Sequence, residues 1–77
     1  MGNPVKRNYD ANKRLRLFLD ENLKSPSKVA DRAKMRRDTF SSILGSRRPI
    51  YADEIVQICY AAGCTVEYLL GVNDNQL

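Results

Sequence analysis

The chain contains no histidine, and so lacks the commonest general base and the commonest metal ligand. Cysteine is scarce as well. The only two, Cys59 and Cys64, stand five positions apart, not at the two-residue gap of a redox or zinc pair. With no histidine and no third cysteine, the usual ligands of a tetrahedral zinc site are not available within one chain. There is no glycine-rich phosphate loop. The carboxylates are scattered and form no convergent pair for acid–base work. No run approaches the roughly 18 apolar residues of a membrane span. The opening Met1-Gly2-Asn3-Pro4-Val5-Lys6 has no apolar stretch of the secretory kind, and Lys6 stands where a myristoylation signal wants Ser or Thr. At 77 residues the chain has room for one small domain, which buries only roughly 60% of its unfolded surface and leaves little space for a deep cleft. The expectation is therefore a cytoplasmic protein that is not an enzyme and has no metal, no cofactor, no evident small-molecule ligand and no membrane contact.

What the chain does have is charge, unevenly placed. All 13 Lys and Arg lie in residues 1–48 beside five acids, a local balance of +8, whereas residues 49–77 carry four acids and no base. A chain polarised in this way usually meets a polyanion with its basic part. The plainer alternative is a solvated surface with chance clustering.

Strong breakers recur at Pro26, Gly45, Pro49, Gly63 and Gly71, and the apolar spacing between them is helical, without sustained alternation. The reading is all-α, a compact five-helix bundle with helices over about 9–23, 26–33, 37–44, 51–62 and 66–70. Residues 1–8 are expected to be a flexible basic arm, 9–71 the domain and 72–77 a polar tail. Asn8 is the expected N-cap of the first helix, and Leu15, Phe18, Leu19 and Asn22 or Leu23 its buried face. Ser25-Pro26 starts the second helix, with proline at the first helical position, where its missing N–H costs nothing. The small residues Val29, Ala30 and Ala33 form its inner face. Phe40, Ile43 and Leu44 face inward on the third helix, which Gly45 is expected to end in a left-handed conformation. Ile55, Ile58, Cys59 and Ala62 face inward on the fourth. Gly63 then stops that helix and Thr65 caps the last one. The two cysteines read as small packing residues across the Gly63 stop, close enough to form a disulfide if the protein were oxidised. Tyr51, Tyr60 and Tyr68 lie in the acidic part and read as core-edge or dimer contacts, not as platforms for bases.

Two short helices joined by a tight turn have the organisation of a helix-turn-helix. The stretch S-P-S-K-V-A-D-R-A-K-M-R-R-D-T-F-S-S-I-L-G over residues 25–45 resembles that of phage-repressor and Cro-like regulators, the XRE family. Lys13 to Leu19 is similar to that family's first helix and Val66 to Gly71 to its closing helix, so the likeness spans about residues 9–71. The resemblance implies a small transcriptional regulator, a repressor, that binds double-stranded DNA sequence-specifically as a homodimer on a palindromic operator, with the third helix in the major groove. It also implies a location in the cytoplasm, with the nucleoid.

On the third helix the outward positions are Arg37, Asp38, Ser41, Ser42 and Gly45, and the first four are the candidate base contacts. Arg37 is suited to guanine, or else to a phosphate. Asp38 would accept from cytosine, hold Arg37, or simply offset the helix dipole. The serines bond bases, or are small enough to let the helix approach. Candidate phosphate contacts are Ser27 and Lys28 at the start of the second helix, Lys34 and Arg36 in the turn, and Arg47 and Arg48 after the third helix, with Lys6 and Arg7 in the arm. The acidic Val66 to Leu77 part would be the dimer surface, kept away from phosphates. Three positions depart from the family pattern. Pro26 replaces a side chain that bonds phosphate. Lys34 stands at a turn position often held by glycine, at a cost of about 1 kcal/mol if its backbone is left-handed. Arg36 stands where Ser or Thr commonly caps the recognition helix. These departures leave open the alternative of a protein-interaction module, antitoxin-like or an adaptor, that keeps the fold without reading DNA, a reading supported by Pro26, Asp38 and the acidic C-terminal third.

Overall fold

Residues 9–71 are described by a computed structural model, and among them there are five helices and no strand. They are α1 (Asp10–Glu21), α2 (Pro26–Arg32), α3 (Arg37–Leu44), α4 (Ala52–Ala62) and α5 (Val66–Leu70). The basic arm over 1–8, including Asn8, Lys6 and Arg7, and the tail over 72–77 lie outside the described residues.

Helical periodicity explains the packing. Leu15 and Leu19 of α1, Phe40 and Ile43 of α3, Ile58 of α4 and Leu69 of α5 are all essentially solvent-free and meet in one core. Helix α2 contributes only Val29, Ala30 and Ala33, and these small side chains let it lie close to both α3 and α4. Helix α1 spans the other side, against α3 and α5. At that contact Phe18 meets the Tyr68 ring at 5.6 Å in a tilted arrangement, the Tyr68 hydroxyl donates to the Arg14 carbonyl (3.3 Å), and Arg14 Nη1 donates to the Leu69 carbonyl (3.3 Å). Tyr68 is thus the core-edge residue expected of it. Tyr51 stacks beneath Arg48, and Tyr60 is 88% exposed.

Several local expectations are corrected. Helix α1 starts at Asp10, so its N-cap position is Tyr9 and not Asn8, and no side chain caps it. Neither Asn22 nor Leu23 is part of the buried face, for both are exposed. Helix α1 ends at Glu21, the Lys24 N–H reaches back to the Leu19 carbonyl (2.9 Å), and Leu23 takes a left-handed backbone (φ 53°) that leaves it 93% exposed. Gly45 is not left-handed either (φ −84°). Its N–H continues the helical pattern to the Ser41 carbonyl (2.9 Å), and Ser46 turns left-handed instead (φ 58°). A Cβ on Gly45 would fall 2.7 Å from Arg47 Nη1, so the glycine leaves room for that side chain to fold back over the helix end.

Other terminal features are as read. Gly63 is left-handed (φ 85°), and the Gly63 and Cys64 N–H groups both reach the Cys59 carbonyl (2.8 and 3.2 Å). The Tyr68 N–H donates to Thr65 Oγ1 (3.0 Å), the cap of α5. Cys59 is buried and free, and burial, with Cys64 beside it, pushes its thiol up to about 12. That is the behaviour of an inert packing residue.

Candidate nucleic-acid interface

The turn between α2 and α3 is built from backbone bonds that carry the chain through one left-handed residue. The Lys34 N–H bonds the Asp31 carbonyl (3.1 Å), the Met35 N–H bonds the Ala30 carbonyl (3.0 Å), and Lys34 sits at φ 59°. The strain foreseen for a lysine there is therefore present, about 1 kcal/mol. Arg36 is the N-cap of α3 with an extended backbone and no side-chain capping bond. Ser25 likewise starts α2 without a side-chain cap, with Pro26 at the first helical position. Both helices begin with backbone N–H groups that no cap side chain occupies.

Between α1, the start of α2 and the outer face of α3 runs an open groove of about 660 Å³. Its floor is Leu19, Phe40 and Leu44. Its walls bring together five of the candidate contacts, Ser27, Arg37, Asp38, Ser41 and Arg47, with Arg16 and Asp20 of α1. Arg16 is exposed on α1, and nothing in the sequence joins it to α3. The other candidates lie apart from the groove. Ser42 is half-buried on the flank of α3, Lys34 and Arg36 are exposed in the turn, and Lys28 lines a separate cleft with Leu23, Asp31 and Arg32.

Ion pairs set the electrostatics at the start of α3. Arg37 Nε and Nη2 donate to the two carboxylate oxygens of Asp31 (3.3 and 2.8 Å), across the turn. The Arg37 guanidinium holds the Asp31 carboxyl below its ordinary range, and Asp31 in turn raises Arg37. Asp38 does not hold Arg37. It accepts from Arg36 Nη2 (3.2 Å) and from the Thr39 N–H (3.0 Å), because its side chain points back over the helix start.

Arg48 is paired as well. Three of its five N–H groups are engaged: it forms a two-point pair with Glu54 and donates to the Pro49 carbonyl (2.7 Å), and it lies 4.6 Å above the Tyr51 ring. Its side chain is 25% exposed and that of Glu54 only 16%. Glu54 also accepts from the Tyr51 N–H (3.0 Å) and so caps α4. The Arg48 bond holds the Glu54 carboxyl below its ordinary value. Arg48 is a strut between the α3–α4 loop and α4, and three of its donors are used inside the protein. Arg47, next to it, is exposed and faces the groove.

Asn12 is the residue that sequence reasoning missed. It is completely buried, and its amide nitrogen donates to the carbonyls of Ile43 (2.9 Å) and Arg48 (2.8 Å), 31 and 36 residues away. One side chain on α1 therefore ties down both the end of α3 and the loop that carries Arg47. The available signal was position: Asn12 precedes Leu15 by three and Leu19 by seven residues, on the inward stripe of α1.

No family model and no curated protein matches the chain. Its structure is similar to the crystal structure of the clp gene regulator ClgR from C. glutamicum, with a TM-score of 0.74 and 19% sequence identity, over 80% of this chain and 82% of that one. At that identity the likeness establishes the fold: this chain has the helical arrangement of a solved gene regulator.

Proposed function

We propose that the chain is a DNA-binding transcriptional regulator that reads duplex DNA with α3 in the major groove. The observation that carries this reading is the groove itself. It gathers Ser27, Arg37, Asp38, Ser41 and Arg47 on one face, in a fold like that of a gene regulator. Arg37 and Asp38 at the start of α3, with Ser41 one turn on, suit base edges, and Ser42 on the flank suits the sugar-phosphate wall. Arg47, Ser27 and the exposed Lys28, Lys34 and Arg36 suit phosphates. Lys6 and Arg7 extend the same chemistry in the arm. Arg48, paired with Glu54, is less available to a phosphate than Arg47.

One such domain offers few base contacts, each contributing about 1–3 kcal/mol of discrimination, so a homodimer on a two-fold operator fits the need for specificity. Repression by occupying the site requires no further domain. Helix α5 is the proposed dimer surface. It carries Glu67 and the 48%-exposed Leu70 and no basic residue.

Selection from a random duplex pool at near-physiological salt tests the reading. An enriched two-fold motif is the expected result, and retention without a motif reduces the claim to backbone attraction. Arg47→Ala is expected to weaken every duplex and lower the salt slope by about one unit. A second reading, an interaction module for another protein, draws on the pairing of Arg36, Arg37 and Arg48 with carboxylates, which leaves the interface with less free positive charge than its composition implies. Failure of the pool to yield any bound DNA favours it.

A further inference from the structure

The two bonds between Arg37 and Asp31 occupy one particular edge of the guanidinium. Nε gives its hydrogen to Oδ1 and Nη2 gives one of its two to Oδ2. Of the five N–H groups of an arginine, both on Nη1 and one on Nη2 are left, and these form the end of the fork. Two parallel donors at that end match the paired acceptors O6 and N7 that guanine presents in the major groove, and they match no other base equally well.

The anchor sits on a different helix from the reader. Asp31 lies near the end of α2 and Arg37 is the first residue of α3, so the contact crosses the turn. An unanchored arginine stem explores many rotamers, all of which must be surrendered on binding. Fixing the Nε edge sets the guanidinium plane in advance. It also cancels the charge: the pair is neutral, so Arg37 is a weaker general attractor of phosphates than a free cation, while its hydrogen-bond geometry is kept. Nothing equivalent holds Arg36. That side chain has one contact, to Asp38 two residues away, and is 82% exposed.

We propose that Asp31 is a specificity-determining positioning residue, which presents the end of the Arg37 fork so that the interface selects guanine at the base pair facing the start of α3. The inference rests on the DNA-binding reading above and adds to it a base and the residue that enforces the choice.

Parallel selections with the wild-type chain, Arg37→Ala and Asp31→Ala test it, followed by titration of duplexes carrying G or A at the selected position. The wild type is expected to fix a guanine in each half-site, and Arg37→Ala to lose at least about tenfold of the G-over-A preference. Asp31→Ala is expected to keep or raise overall affinity, having one acid fewer, while losing about threefold or more of the same preference, a split that a purely structural role would not produce. Both side chains are more than half exposed, so unchanged melting temperatures verify that the variants fold. An Asp31→Ala chain that selects the same guanine with undiminished or sharper preference overturns the inference while leaving the DNA reading intact. A wild-type motif with no guanine that responds to Arg37 overturns it in the same way. A wild-type chain that enriches no motif overturns the DNA reading, and the inference falls with it.

Discussion

The two ends of α3 are held by opposite means. At its start, Arg36–Asp38 and Arg37–Asp31 are exposed pairs between residues two and six positions apart. At its end, the Ile43 carbonyl and the following loop are held by the buried Asn12 amide, and the half-buried Arg48–Glu54 pair braces that loop against α4. Exposed pairs contribute little to folding and rearrange easily, whereas buried contacts over long sequence separations exist only once the fold has formed. The end of the helix is thus scaffold, and the start, where Arg37 stands, is left free to be set by its neighbours and by what it binds.

Removing Asn12 is the most severe way to break that contrast. Asn12→Ala is expected to destabilise the fold by about 2–4 kcal/mol, because the Ile43 and Arg48 carbonyls each lose a hydrogen bond, Ile43 keeping the one from the Ser46 N–H, and a cavity opens on the inner stripe of α1; thermal or urea unfolding measures it. Its Oδ1 has no partner within the described structure, so the native side chain already carries some desolvation cost and the loss falls short of a fully satisfied network.

Next in size is Glu54→Gln, which keeps the shape but gives up the charge against Arg48, with an expected loss of about 1–2 kcal/mol at neutral pH. The sign of the pH effect follows from the lowered Glu54 carboxyl. Its contribution is present above the unfolded value, near 4.5, and is lost as pH falls through the lower folded value. Unfolding midpoints across that acid range should therefore drop in the wild type and converge with those of Glu54→Gln.

Lys34→Gly tests the turn that leads into the start of α3. Relief of the left-handed strain exceeds the extra chain entropy of glycine only modestly, so a gain of up to about 1 kcal/mol is expected in equilibrium unfolding. A loss instead would mean that the Lys34 side chain makes a stabilising contact of its own. At the small end, Asp31→Ala is expected to leave the melting temperature unchanged, since its pair with Arg37 is solvent-exposed. A marked drop would show that the two ends of α3 are held alike after all.

Much of the bundle was legible from spacing and punctuation. The periodicity of Leu15 and Leu19, of Phe40 and Ile43, and of Ile58 with its neighbours names the buried faces, and Pro26, Gly63 and Thr65 mark helix ends for reasons local to the backbone. Local reasoning failed where two local solutions compete. Whether Gly45 or Ser46 turns left-handed depends on how far α3 continues, and the fate of Leu23 depends on which carbonyl the next N–H finds. The outward face of α3 was readable by the same helical arithmetic, which is why Arg37, Asp38 and Ser41 do share a groove.

The pairing of charges was not readable. Asp31 and Asp38 are both near enough in sequence to serve Arg37, and Arg47 and Arg48 are indistinguishable as letters; only the packed fold sends one to the groove and the other to Glu54. The same holds for Asn12, an ordinary polar residue on α1 until α3 is laid across it. By itself the sequence determined the helices, their inner faces and the basic character of the first two thirds, because these follow from periodicity, backbone preference and composition. The tertiary structure alone decided which polar groups are consumed inside the protein and which remain to meet a partner, because a hydrogen bond or ion pair is chosen by distance in space and not by separation along the chain.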